Sequence, residues 1–224
     1  MNDSSSAVRR RPAAVLWDMD GTIVDTEAHW SIAADEIARA HGIEPSPDAL
    51  AALVGTSLTA GAELMRGWGV DVPVDELVDR QLELAMRNTA AAGLTWRPGA
   101  VEMLSALRAD SIPLALVTMS YRSYADAVID ALPDDTFDVI VTGDAVERGK
   151  PFPDAYLRAA ELLGVDVRDC VAIEDSLIGL AAARAAGAQV VGIPHHVAIP
   201  DGAADAVWPT LAGRAPEDLW VPLV

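Results

Sequence analysis

Two aspartates stand two residues apart in the run Asp18-Met19-Asp20-Gly21-Thr22. One carboxylate of such a pair can attack as a nucleophile and the other can carry a proton. Together they can also hold a divalent cation. Other polar groups recur further along: Thr118-Met119-Ser120, Thr142-Gly143-Asp144, Gly149-Lys150-Pro151 and Glu174-Asp175-Ser176. Carboxylates are hard oxygen ligands that suit Mg²⁺, an ion often held by few protein groups plus substrate phosphate. Clustered carboxylates repel one another, and a cation relieves that repulsion. A lysine and a threonine hydroxyl can hold phosphate oxygens. The chemistry this set allows is transfer of a phosphoryl group through an aspartyl-phosphate.

Such groups act together only if the fold brings them together. Ala13 to Trp17 is an apolar run that reads as a buried strand ending at Asp18. About seventy residues of helical pattern follow. Trp30, Ala33, Ile37, Ala38 and His41 share one spacing, and Ser46-Pro47 reads as an N-cap with proline at the first helical position. Segments from Thr59 to Trp68 and from Asp75 to Ala92 end at Gly69 and Gly93. After Arg97-Pro98-Gly99 short apolar strands alternate with helices. Strands are expected at Leu114–Val117, Val139–Val141, Val171–Ile173, Val190–Ile193 and near Ala206–Trp208. This rhythm predicts an α/β fold, a doubly wound parallel sheet covered on both faces, with an inserted α-helical cap. In such a sheet ligands bind beyond the carboxyl ends of the strands. Each strand but the last two is followed by one of the polar groups above. The expected division is 12–24 and 97–224 for the α/β core, 25–96 for the cap and 1–11 for a disordered polar tail, with hinges near Val24-Asp25 and Leu94–Arg97.

These motifs, in this order, resemble the haloacid dehalogenase-like (HAD) phosphatases, in the subgroup whose helical cap follows the first motif. The resemblance covers roughly residues 13 to 195. It implies a Mg²⁺-dependent phosphoric monoester hydrolase acting on a small phosphorylated metabolite. By the same resemblance Asp18 is the nucleophile and Asp20 the general acid/base. Thr118 and Lys150 hold the transferring phosphoryl group. The metal ligands are Asp18, Asp20 through its main-chain carbonyl, and Asp175, with Glu174 supporting or ligating. Relatives that cleave carbon–halogen bonds lack the second aspartate of the first motif, so Asp20 favours phosphoryl transfer. Sugar phosphomutases similar to β-phosphoglucomutase carry a histidine twelve residues after the nucleophile and a Lys-Gly-x-Ser-Arg cap loop. Here position 30 is Trp, His29 comes one residue early, and the loop reads Val54-Gly55-Thr56-Ser57-Leu58. Hydrolysis is therefore expected over mutase chemistry, and over a binding protein that kept the fold without turnover.

Composition narrows the partners. The chain has 224 residues and a net charge of −18, which argues against nucleic acid and anionic membrane as partners. An anionic substrate then depends on local positive charge at the site. Cys170 is the single cysteine, begins an apolar run and is expected to be a packed core thiol. No apolar run approaches a membrane span. A reducing, cytoplasmic setting and a monomer are the expectations. His195-His196 invites a metal reading, but it lies in a proline-rich turn with no cysteine nearby, so a loop role is expected. Trp68 and Trp96 are expected to pack, and Arg9 to Arg11 to be solvated; His29 and Trp30 either contact substrate from the hinge side or, as is favoured, serve structure, with Trp30 packing the cap helix.

Overall fold

A computed structural model describes residues 9–222. The strands are β1 (Arg9–Arg10), β2 (Val15–Trp17), β3 (Val24–Asp25), β4 (Thr95–Trp96), β5 (Leu114–Val117), β6 (Val139–Val141), β7 (Val171–Glu174), β8 (Gln189–Gly192), β9 (Ala206–Val207) and β10 (Val221–Pro222). The α-helices are α1 (Glu27–Ala40), α2 (Pro47–Ala51), α3 (Leu58–Gly67), α4 (Val74–Ala92), α5 (Ala100–Ala109), α6 (Arg122–Ile129), α7 (Asp154–Leu163) and α8 (Leu177–Ala186).

Six strands form one parallel sheet in the order β6-β5-β2-β7-β8-β9. Alternation along each strand sends side chains to opposite faces. Val15, Trp17, Leu114, Leu116, Val171 and Ile173 enter one apolar cluster, with α5 and α6. Ala14, Leu16, Ala115, Val117 and Ala172 enter the other, with α7 and α8. The second face is rich in small side chains, including Ala155, Ala159, Ala182, Ala183 and Ala186, so its helices approach the sheet closely. A fully buried Leu or Ile contributes roughly 1.5–3 kcal/mol relative to exposure. Cys170 is fully buried in this second cluster, as its apolar setting predicts.

The chain runs from β2 outward to β5 and β6, then crosses back to β7 and β8 on the other side of β2. That reversal opens a crevice at the carboxyl ends of β2, β5 and β7. The helical stretch α1–α4 leaves and re-enters beside this crevice. Its two crossings pair with each other as an antiparallel ladder, Val24 opposite Trp96 and Asp25 opposite Thr95. Two-residue strands leave no alternation to read, so the sequence indicated the seam but not the pairing.

Helix starts agree with local capping chemistry. Ser46, Ser57 and Ser176 each accept from a main-chain N–H three residues on, opening α2, α3 and α8. Strand β7 runs one residue further than expected and takes in Glu174, whose carbonyl oxygen accepts from Ile193 N at 2.7 Å. The expected tail, 1–11, is corrected at its end. Arg9–Arg10 pairs antiparallel with Val221–Pro222, and the Arg10 guanidinium bonds Asp169. Paired backbone replaces the disorder expected there, while the Arg10 and Arg11 side chains are exposed, as expected. The rest of the tail, 1–8, lies outside the described residues. Among the described residues no helix is long and apolar enough to cross a membrane.

Candidate active site

Asp18 follows β2 directly and its main-chain N–H donates to the Ile173 carbonyl of β7 at 3.0 Å. It is buried, as are Lys150, Glu174 and Asp175. Lys150 Nζ donates to Asp18 Oδ1 at 2.7 Å, to Glu174 Oε1 at 2.6 Å and to the Val117 carbonyl at 2.9 Å. Three acceptors use all three ammonium protons. Its charge also lies 5.2 Å from the centre of the Tyr156 ring. Tyr156 OH donates to Glu174 Oε1 at 2.7 Å, and Ser176 Oγ donates to Oε2 at 3.1 Å. Glu174 is thus occupied as the lysine's counter-charge.

Two glycines make room for these carboxylates. A Cβ on Gly179 would come within 2.1 Å of both Glu174 oxygens. A Cβ on Gly21 would sit 2.1 Å from Asp175 Oδ2, and Gly21 also has φ +84°, which favours glycine.

Asp20, half-buried, accepts four hydrogen bonds. Oδ1 receives Thr26 Oγ1 at 2.5 Å and Trp30 Nε1 at 3.3 Å; Oδ2 receives Thr118 Oγ1 at 3.1 Å and Ser120 Oγ at 2.7 Å. Thr26 sits at the start of α1, where its hydroxyl would ordinarily cap the helix. It makes no capping bond and serves Asp20 instead. Trp30 combines the packing expected of it with this polar contact: its ring lies 4.6 Å from that of Tyr124.

Three carboxylates crowd one spot. One oxygen each from Asp18, Glu174 and Asp175 falls within 4.8 Å of the others. Asp18 Oδ2 is buried with no hydrogen-bond partner among the described residues. Leaving a buried polar oxygen unpaired costs roughly 1–3 kcal/mol, and more when it is charged. Burial, then the Glu174 charge, pushes the Asp18 carboxyl up to about 7. Burial, then the charges of Asp18 and Glu174, pushes Asp175 up to about 9. Burial disfavours the Lys150 ammonium, but the charges of Asp18 and Glu174 and their hydrogen bonds outweigh it, so its pKa is raised. The donor set is all oxygen and under-neutralised, which fits a hard divalent cation.

A cavity lies over the cluster. Asp18, Asp20, Ser120, Lys150 and Asp175 line its floor, and Leu53 to Leu58 with Gln81 line its helical side. Thr118 and Glu174, also nominated from sequence, lie behind that floor: Thr118 under Asp20, Glu174 under Lys150. His29 is turned away, buried against Thr89 and bonded to its hydroxyl at 2.9 Å.

Comparison with known proteins shows the family. A family model, haloacid dehalogenase-like hydrolase, matches residues 12–187. The chain belongs to the haloacid dehalogenase-like hydrolases. Protein CbbY of Rhodobacter capsulatus is 34% identical over 217 residues, covering 90% of this chain and 95% of that protein. Hexitol phosphatase A of Escherichia coli (strain K12) is 37% identical over 186 residues, covering 80% and 81%. The crystal structure of CbbY from Rhodobacter sphaeroides in complex with phosphate superimposes with a TM-score of 0.80 at 28% identity, covering 90% of this chain and 96% of that one.

Within this hydrolase, several contributors escaped the sequence reading. Thr26 and Trp30 reach Asp20 from α1 and its N-cap, and Tyr156 and Gly179 shape Glu174 from α7 and α8. Tyr156 sits six residues after Lys150 with no local signal of its role. Only Ser120, two residues after Thr118, had been visible in the motif.

Proposed function

We propose that this hydrolase is a Mg²⁺-dependent phosphatase for a small phosphorylated metabolite, working through an aspartyl-phosphate on Asp18. The observation that carries the reading is the Asp18 carboxylate: Oδ1 is fixed by Lys150, while Oδ2 is unpartnered beneath the cavity. A fixed carboxylate with one free oxygen is placed to attack. The Asp18 oxygen forms a bond to phosphorus as the bond to the leaving oxygen breaks. Asp20 gives that oxygen a proton, exchanging one of its four donors for it. Asp20 then takes a proton from water, which attacks phosphorus and frees Asp18 and inorganic phosphate. Lys150 holds Asp18 and would exchange one of its three protein acceptors for a phosphoryl oxygen; Ser120 offers a hydroxyl at the cavity floor, and Thr118 fixes Asp20 from beneath. Asp18, the main-chain carbonyl of Asp20 and Asp175 would hold the ion, with Glu174 retained by Lys150. Bound there, Mg²⁺ supplies positive charge against the phosphoryl oxygens.

The helical stretch 25–96 acts in this reading as a cap over the core, hinged at β3 and β4. Among the cavity's lining residues Lys150 is the one lysine or arginine, and its protons are already engaged. The opposite wall offers hydroxyls, an amide and apolar groups: Thr56, Ser57, Gln81, Leu53 and Val54. That wall suits a neutral, hydroxyl-bearing leaving group and offers no cation for a second phosphate.

The test is release of inorganic phosphate from a panel of phosphorylated sugars, sugar alcohols, nucleotides and bisphosphates, with Mg²⁺ and with a chelator. Metal-dependent release favouring monophosphates is expected. An isomerised sugar phosphate, stimulated by a bisphosphate, would instead make the protein a mutase. Binding of phosphate esters without turnover of any would make it a binding protein.

A further inference from the structure

Away from the carboxylate cluster, two histidines and an aspartate meet at the seam between the helical stretch and the sheet. Asp25 lies on β3; His195 and His196 follow β8 in the turn after Pro194. Nε2 of His195 is 3.1 Å from Asp25 Oδ2, and Nε2 of His196 is 3.6 Å from Oδ1. The two imidazole rings lie 3.8 Å apart, centre to centre. One ligand atom from each of the three residues lies within 4.8 Å of the other two. Nε2 of His195 is shielded from solvent, yet no aligned hydrogen bond reaches it among the described residues. The carboxylate is near that nitrogen without satisfying it.

We propose that Asp25, His195 and His196 form a second metal site, for a borderline ion such as Zn²⁺, that ties β3 to the loop after β8. Two imidazoles and one carboxylate suit Zn²⁺, whereas an all-oxygen set suits Mg²⁺. Bonds of 2.0–2.2 Å in a tetrahedral shell place ligand atoms about 3.3–3.6 Å apart. The observed spacings, 3.1 Å from His195 to one Asp25 oxygen and 3.6 Å from His196 to the other, are of that size, and the side chains would adjust to share one ion. Three protein ligands leave a fourth position for water. The sequence reading assigned the histidine pair a loop role, because it lies in a proline-rich turn with no cysteine nearby. Asp25 is 170 residues away in sequence and is delivered by the β3–β4 ladder. Arg97, which donates to the Pro194 carbonyl at 3.3 Å, opposes a cation here. Glu27 lines the cavity beside His196 and offsets that charge. The ion would span the seam, so it would restrain movement of the helical stretch.

The experiment uses tag-free full-length chain, with excess Mg²⁺ to occupy the carboxylate cluster. Co²⁺ is titrated as a visible probe and then displaced by Zn²⁺. One equivalent is expected, with the strong visible bands of a four-coordinate, nitrogen-ligated ion. His195→Ala and His196→Ala should each weaken binding by more than tenfold, since loss of an outer-shell partner alone costs roughly that much. Asp175→Asn should leave the bands intact. Zn²⁺ should raise the Tm of the wild type and not that of His196→Ala, whose half-exposed side chain is not needed for packing. Absence of the bands, their persistence in His196→Ala, or their loss in Asp175→Asn would each overturn the site.

Discussion

The cavity has two unlike walls. The sheet side carries charge: Asp18, Asp20, Asp175 and Lys150 stand on loops at strand ends, and Asp18, Asp20 and Lys150 are tied by short hydrogen bonds. The helical side carries almost none, and its Leu53–Leu58 stretch is only partly buried. Charges that must meet a transferring group gain from being held rigidly, because reorganisation then costs nothing at the moment of reaction. Contacts to a leaving group gain from a surface that can be changed without disturbing those charges. The helical stretch joins the core through two-residue strands, which keeps the two demands separate.

That contrast predicts large losses of turnover on the sheet side and modest changes of affinity on the helical side. Asp18→Asn should abolish metal-dependent phosphate release, by roughly four to six orders of magnitude in kcat. Near-normal turnover in that variant would remove the proposed nucleophile. Asp20→Asn should lower kcat by about 10²–10⁴-fold with little change in KM. A change confined to KM would reassign Asp20 to binding.

Gly179→Ala probes the sheet side from behind. Its new methyl would collide with the Glu174 carboxylate and displace the anchor of Lys150. Overpacking of this kind costs roughly 1–3 kcal/mol, read as a lower midpoint in urea unfolding. An unchanged midpoint would show that Glu174 is free to move.

Acidity offers a subtler probe. Without a cation, Asp18 and Asp175 keep their protons up to about 7 and about 9. Unfolded aspartates lose theirs near pH 4. Between those limits the folded chain binds more protons, so the stability these groups contribute falls as pH rises. Mg²⁺ competes with the same protons. Its effect on Tm should therefore be smallest at pH 5 and grow toward pH 9, and a flat response would place the ion elsewhere. On the helical side, Thr56→Val should shift KM and substrate ranking by less than about tenfold, since one lost hydrogen bond is worth about 1 kcal/mol. A collapse of kcat there would erase the distinction between the walls.

The sequence was most legible where a residue's role depends on its immediate neighbours. Apolar runs of three or four residues marked the strands of the sheet, and Ser46 before Pro47 marked the start of α2. Strand ends also told where Asp18, Lys150 and Asp175 would gather, because a parallel sheet directs its carboxyl ends to one edge. Roles that depend on approach from another element were not legible. Thr26 looks like a cap and serves Asp20; Thr118 looks exposed to substrate and lies beneath Asp20.

What the chain by itself determined was the order of strands and helices and the set of groups at one edge of the sheet, since short-range patterning and strand direction decide both. Only the tertiary structure decided how those groups share their hydrogen bonds. It alone turned Glu174 into a partner for Lys150, left Asp18 with one free oxygen and brought Asp25 to the histidines. Each of those outcomes depends on distances between segments that are far apart along the chain, and local sequence carries no record of such distances.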